Sequence, residues 1–319
     1  MRRQLLLGLA ALAFAATTAN AQNYPDKPIR VIIPFGAGSA TDLIPRIVLE
    51  QVSKQIGQPI VVENRGGAGG TIGATQVARA DPDGYTLLAT SSAHTIAPAL
   101  HSLLYDAAGD FAGVGLMGSS PSVMIISPDK GFKKVQDFVA AAKAKPEAFS
   151  FATVGVGSAV HLSAERFRYS AGYKALHIPF KGGSEAITEV IAGRVDYYFC
   201  PISTALPFIR EGKLLGLVVS SPKRSSVLPD VPTTLELGYA DSDYTSWIGL
   251  LAPAKTPRPI IDRLAKEIAE AVKSPAVQER FKQLGVEPLP MSPQEIDARL
   301  KDEVVRFTEF AKKTGMKTN

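Results

Sequence analysis

An alternation of apolar runs, glycine-rich turns and helix-period segments constrains this chain more than any other feature. Ile29–Ile33 has the β-branched density of a buried strand and leads into Pro34-Phe35-Gly36-Ala37-Gly38-Ser39-Ala40-Thr41-Asp42. The spacing of Ile44, Ile47, Val48 and Val52 then predicts a helix over 42–56, with Pro45 in its first turn. Residues 59–64 read as the next strand, Gly66-Gly67-Ala68-Gly69-Gly70-Thr71 as its turn and 72–80 as its helix, before a third strand at 85–90. The second half repeats the scheme, with strands expected at 122–127, 149–153, 195–199, 214–220 and 246–252 and an extended stretch at 175–179. Helices are expected at 135–144, 160–171, 184–192, 259–272, 275–284 and 293–314. Strands alternating with helices call for a parallel or mixed α/β sheet.

A chain of 319 residues exceeds what one core usually holds, about 250–300 residues. Two α/β lobes are therefore expected. The first comprises 22–121 plus 245–319, the second 122–244, and the chain crosses between them near 119–122 and 244–247. Ligands in such architectures sit between lobes, beyond the carboxyl ends of the strands.

Three turns stand out, at 35–42, 66–72 and 153–158, because each follows a strand and opens a helix. A helix start leaves backbone N–H groups unpaired and carries partial positive charge. Glycines let an anion approach that backbone closely. The candidate contacts are Phe35, Gly36, Ala37, Gly38, Ser39 and Asp42 in the first turn, Gly70, Thr71 and Ile72 in the second, and Thr153, Gly157, Ser158, Ala159 and His161 in the third. Ser91, Ser92 and His94 follow the third strand and are expected on the cleft wall. Ordinary strand-to-helix connections capped by Ser or Asp are the alternative; three such turns in one chain favour an anion site.

Enzyme signatures are incomplete. Gly67, Gly69 and Gly73 miss the G-x-G-x-x-G spacing by one residue, no G-x-x-x-x-G-K-[ST] loop exists, and Gly182-Gly183-Ser184-Glu185-Ala186 fails the nucleophile elbow at its last position. His94, His101, His161 and His177 lack metal-ligand spacing, so no metal or cofactor is expected. The net charge of +5 comes without a Lys/Arg block, which gives nucleic-acid binding little support. Arg2 and Arg3, the apolar run 5–16 and Ala19-Asn20-Ala21 have the layout of a secretory signal cleaved after Ala21. A soluble, periplasmic mature chain is expected. The single cysteine, Cys200, permits no internal disulfide.

Tyr24-Pro25-Asp26-Lys27-Pro28-Ile29-Arg30 resembles the mature start of the Bug-type (TctC-type) solute receptors, the extracytoplasmic binding subunits of tripartite tricarboxylate transporters. The likeness continues through Gly57-Gln58-Pro59, Asn64-Arg65, Gly67-Ala68-Gly69-Gly70-Thr71, Asp81-Pro82-Asp83-Gly84-Tyr85, Pro179-Phe180-Lys181-Gly182-Gly183, Leu228-Pro229-Asp230-Val231-Pro232 and Trp247-Ile248-Gly249. The resemblance implies a two-lobed periplasmic binding protein fold, type II-like, that closes on a small carboxylate. It also implies membrane permease subunits as partners. It assigns one ligand carboxylate to the first-lobe turns, here 35–42 and 70–72, partly through water. The second lobe is to contribute the turn 153–159 and the loop after 195–199.

Three departures from that pattern bear on ligand choice. Ala37-Gly38-Ser39 stands where the family commonly has proline-glycine-glycine, Val160-His161 where it has a histidine pair, and Cys200 where it often has an aspartate. Ser39 adds a hydroxyl for the ligand to contact; if Val160 and Cys200 touch the ligand, its body is apolar or aromatic, and drift outside the pocket is the other reading for those two. The expected function is a monomeric binding protein with no chemistry of its own. The alternatives are a solute-sensing subunit of a membrane signalling system, and an exported hydrolase using Ser39 or Ser158, which needs a histidine within hydrogen-bond reach.

Overall fold

The computed structural model describes residues 24–146 and 148–316; the expected secretory segment lies outside the described residues. Among the described residues no helix is long and apolar enough to cross a membrane. The first part of the chain forms β1 (Ile29–Ile33), α1 (Ala40–Ile56), β2 (Ile60–Asn64), α2 (Thr71–Ala78), β3 (Thr86–Ser91), α3 (Ala93–Leu100) and β4 (Phe111–Ile126). The middle forms α4 (Val135–Ala144), β5 (Ser150–Thr153), α5 (Ala159–Ala171), β6 (Leu176–Pro179), α6 (Gly183–Ile191), β7 (Tyr197–Pro201), α7 (Ile202–Arg210) and β8 (Leu215–Val219). The chain then returns through β9 (Thr245–Pro253), α8 (Arg258–Lys273), α9 (Pro275–Leu284), β10 (Glu287–Pro288) and α10 (Pro293–Thr314).

The strands run in the order β2-β1-β3-β9-β4-β7-β5-β6, with β8 and β10 also paired to β4. β1, β2 and β3 are parallel, as are β5, β6 and β7, whereas β9 and β4 run antiparallel to their neighbours. Alternate residues of β1 serve opposite faces, as the two-residue period of a strand requires. Ile29, Val31 and Ile33 pack with α1 and α8, while Ile32 packs with Ala74 and Val77 of α2 and Leu300 of α10. The second sheet divides likewise: Tyr197 and Phe199 meet α4 and α5 on one face, and Tyr198 and Cys200 meet α6 and α7 on the other.

α1 and β4 both start earlier than the sequence predicts. α1 starts at Ala40, so Pro45 falls in its second turn, and Gly57 closes it in the left-handed conformation at φ 66°. β4 begins at Phe111 and contains Gly113, Gly115 and Gly118, residues that weaken a strand reading. Packing explains them. A Cβ on Gly113 would lie 2.6 Å from Ile296 Cβ of α10, and one on Gly118 2.8 Å from Val286 Cγ1. These glycines let the C-terminal segments seat directly on the strand, and the register shifts beside them bend it.

β4 is the strand that both sheets share. Pro121 is its last residue opposite β9, facing Thr245, and Ser122 its first opposite β7, facing Pro201. Fully buried Ser220 fastens the crossing point. Its N–H donates to the Ser122 carbonyl (2.8 Å) and its carbonyl accepts from Tyr244 N–H (2.7 Å). Its hydroxyl accepts from Ser122 N–H (3.1 Å) and donates to the Tyr244 carbonyl (2.7 Å). Ser220→Ala strips a partner from two buried backbone groups. Chemical denaturation is expected to show a loss of about 2 kcal/mol, within the range for an unsatisfied buried polar group; an unchanged midpoint would show the crossing to be held by packing alone.

Candidate ligand-binding cleft

Each sheet reverses its winding at one place. β1 leads outward to β2 and the chain recrosses to β3; β5 leads outward to β6 and recrosses to β7. Strand ends at such switch points leave a crevice. A hollow with about 560 Å³ of empty volume opens between the sheets there. The first lobe lines it with Phe35 and Ser39 from the turn after β1, Ala40 and Thr41 from the start of α1, and Ser91 from the end of β3. The second contributes Val154 and Ser158 from the turn after β5, Ala159 and Val160 from the start of α5, and Gly183, Tyr198, Pro201 and Thr204. Ser120, Ser122, Ser246 and Ile248 of the crossing strands close the lining. None of these side chains is charged.

What faces the hollow is a set of donors. Ser39 caps α1: its carbonyl accepts from Asp42 N–H (2.9 Å) and Leu43 N–H (2.8 Å), while the N–H groups of Ala40 and Thr41 find no acceptor in the turn before them. Ser158 caps α5, its hydroxyl accepting from His161 N–H (3.3 Å), and Ala159 and Val160 are left in the same condition. Ser39 Oγ, Ser120 Oγ and Thr204 Oγ1 are buried with no hydrogen-bond partner in the protein. Buried polar atoms are normally paired, and these three unpaired hydroxyls share one hollow.

The turns are held by residues that do not line the hollow. Asp42 is buried, and its carboxylate accepts from Gly38 N–H (2.9 Å), Arg46 Nε (2.8 Å) and Asn64 Nδ2 (2.8 Å). It therefore fixes the first turn, and Gly38 is spent on it. Thr153, fully buried, accepts from Gly155 N–H (3.1 Å) and pairs with His177 Nε2 (2.6 Å). Gly157 N–H donates to His161 Nδ1 (3.2 Å), and the His161 ring stacks on His177 at 4.2 Å. These residues shape the third turn from behind.

Several expected contacts lie elsewhere. The second turn lines an adjoining outer hollow of about 1290 Å³ that includes Gly36, Gly70, His101 and Lys181. There Gly69, at φ 65°, meets the other lobe so closely that a Cβ would stand 2.6 Å from the Val156 carbonyl oxygen. Ala37, Thr71 and Ile72 line neither hollow; Ile72 is 57% exposed. Ser92 turns its hydroxyl to Tyr244 and to Ser246 Oγ (2.9 Å). The wall position expected of His94 is a core position instead, because α3 begins at Ala93 and turns the ring between Tyr105 and Phe111, with Nε2 on the Ala107 carbonyl (2.8 Å). Cys200 is fully buried under the pocket floor, and burial pushes its thiol pKa up; Tyr198 and Pro201 reach the hollow in its place. Ser120, Tyr198, Thr204 and Ser246 escaped the sequence reading because the extended β4, α7 and the cleft-side face of β7 carried no turn signal. The condition set for a hydrolase is unmet: Ser39 Oγ has no partner, and Ser158 Oγ donates to the Gly155 carbonyl (2.7 Å).

Burial lowers the pKa of His94, His161 and His177 to about 4 each, with Arg168 adding to the shift at His161 and His161 to that at His177. In the unfolded chain they titrate near 6.5. Between these values the unfolded chain binds protons that the folded one refuses, so stability falls as pH drops through that window. The melting temperature is expected to be insensitive to these groups above pH 6.5 and to decline from there toward pH 4. Imidazole NMR titrations should show three rings still neutral at pH 5.5; protonation of any of them at that pH would contradict the packing.

Residues 44–316 match the family model described as the tripartite tricarboxylate transporter family receptor, TctC. BugT of Bordetella pertussis is 35% identical over 310 residues, covering 96% of this chain and 95% of that protein. The solved structure of the periplasmic binding protein BugD superposes with a TM-score of 0.87 at 35% identity, over 92% of this chain and 100% of that one. MatC (Rpa3494) from Rhodopseudomonas palustris, with bound malate, superposes at 0.85 and 31% identity over 90% and 99%. The fold is the two-lobed α/β fold of these periplasmic binding proteins, and the chain belongs to the TctC family of tripartite tricarboxylate transporter receptors.

Proposed function

We propose that this protein is an exported receptor that closes its two lobes on a small carboxylate and delivers it to the membrane subunits of a tripartite tricarboxylate-type transporter. The observation that carries the reading is a hollow lined by unpaired amides and hydroxyls from both lobes and by no charged side chain. Helix starts bind anions without a cation, because the N–H groups and the helix dipole supply the positive potential. The lobes divide, on this reading, at 121/122 and 244/245, where β4 changes partners and the return strand begins. MatC, related in sequence and fold, carries malate, which supports a carboxylate as cargo. The family is one of receptors, which fits a protein without catalytic duty. Localisation outside the cytoplasm, by a cleaved leader, follows from the same reading.

Thermal shift and calorimetry across carboxylates, sugars and cations test it. A bound ligand at 100 times its dissociation constant adds about 2.7 kcal/mol and raises the melting temperature accordingly. Ser39→Ala removes a hydroxyl that has no protein partner, so folding stability should stay within about 0.5 kcal/mol of the parent. Carboxylate affinity is expected to fall about tenfold, the loss of one charge-assisted hydrogen bond. Binding confined to sugars or cations would refute the reading.

A further inference from the structure

Two turns press together outside the inner hollow, and each uses a glycine to do so. Gly69, at φ 65°, follows β2; a Cβ there would stand 2.6 Å from the Val156 carbonyl oxygen and 3.0 Å from His101 Nε2. Gly157, at φ 79°, follows β5; a Cβ there would stand 3.2 Å from Leu100 Cδ1 and 3.3 Å from His101 Nε2. His101, at the end of α3, fits between them, and its Nε2 hydrogen-bonds the Val156 carbonyl at 3.3 Å. Behind the turns the contact continues as apolar packing. Leu162 of α5 is fully buried in one cluster with Ile96 and Leu100 of α3 and with Phe307 and Ala311 of α10. At its margin the Arg166 guanidinium lies over the Phe310 ring at 5.6 Å, and the Lys313 ammonium over the Tyr169 ring at 5.5 Å.

On the lobe division read above, α3 and α10 belong to the first lobe and α5 to the second. Every one of these contacts then joins the two lobes, and none of these residues lines the inner hollow. The seam needs no ligand, because burial of apolar surface favours it in any case. It also holds in place the helix whose start offers the Ala159 and Val160 amides. Apparent affinity scales with the fraction of protein already in the binding-competent arrangement. Resting on that two-lobe reading, we propose that this seam is a ligand-independent clasp: Gly69, His101 and Leu162 hold the lobes together before cargo arrives, and set its affinity as positioning residues that never touch it.

The test uses a wedge and a matched control. Gly69→Ala places a methyl against the opposite turn. Gly57→Ala imposes the same backbone strain, at φ 66°, with nothing within 4 Å of its Cβ. His101→Ala removes the hydrogen bond without a wedge. Spin labels on Val61→Cys and Leu176→Cys, exposed positions on the outermost strands β2 and β6, report the lobe separation, and fully buried Cys200 is shielded from the label. The ligand-free parent should show one main separation, shifted in Gly69→Ala and in His101→Ala and unchanged in Gly57→Ala. Calorimetry with succinate, adipate and benzoate gives the second readout. Each acid that binds should lose tenfold or more in Gly69→Ala and about fivefold in His101→Ala, the size of one neutral hydrogen bond. The factor should be the same for every acid, and Gly57→Ala should bind as the parent does. Equal label separations in the parent and Gly69→Ala, losses shared by Gly57→Ala, or losses that differ from acid to acid would overturn the clasp and leave carboxylate capture intact. If no acid binds, the carboxylate reading falls and the ligand-free separations alone decide the clasp.

Discussion

Two chain crossings carry the molecule, and one serine holds them in register. Ser220 satisfies backbone groups of Ser122 and Tyr244 at once, through both its peptide group and its hydroxyl. The segments it joins are those that leave one sheet for the other. Several residues that line the hollow lie close to this point in the chain. Ser120 and Ser122 precede and follow the change of partner, and Ser246 lies just beyond the return crossing, its hydroxyl against Ser92. Deep burial makes these hydrogen bonds strict, since water has no access to replace a lost partner.

The hollow that hangs from that frame has no cationic side chain in its lining. A lysine in the pocket would be a mobile, strongly hydrated charge that must be stripped of water before binding. Backbone amides at a helix start are already oriented and already poorly hydrated, so less reorganisation opposes the ligand. The residues behind the turns respect the same logic. Asp42 is charged, but its carboxylate is spent on Gly38, Arg46 and Asn64. His161 and His177 are held neutral by burial and stack face to face, as two imidazolium rings could not. Lys181 lines the outer hollow and not the inner one.

The sequence disclosed the architecture through its periodicity and the first and third turns through their glycines and caps. Strands β1, β2, β3 and β5 and the helices α1, α5 and α10 were all legible because pattern and cap agree there. It concealed α3 and α7, each of which contains a proline, Pro98 and Pro207, that speaks against a helix interior. It concealed the first half of β4 because Gly113, Gly115 and Gly118 serve tertiary packing against Ile296, Ile268 and Val286, a demand with no local signature. The same blind spots hid Ser120 and Thr204. His94 misled for a related reason: a polar residue after a strand suggests a wall, but the helix starting at Ala93 rotates it into an aromatic core.

The unpaired amides at the hollow come from both sides of it. Ala40 and Thr41 belong to the first lobe and Ala159 and Val160 to the second, so an anion touching both sets is held better when the lobes approach. A ligand shifts a conformational equilibrium only by such differential contacts. The turn 66–70 also meets the turn 153–158, outside the inner hollow. Gly69 lies against the Val156 carbonyl, and His101 Nε2 reaches the same oxygen at 3.3 Å. That oxygen belongs to the turn that opens α5, three residues before Ala159. The middle turn, which lines only the outer hollow, thus lies against the turn that opens α5.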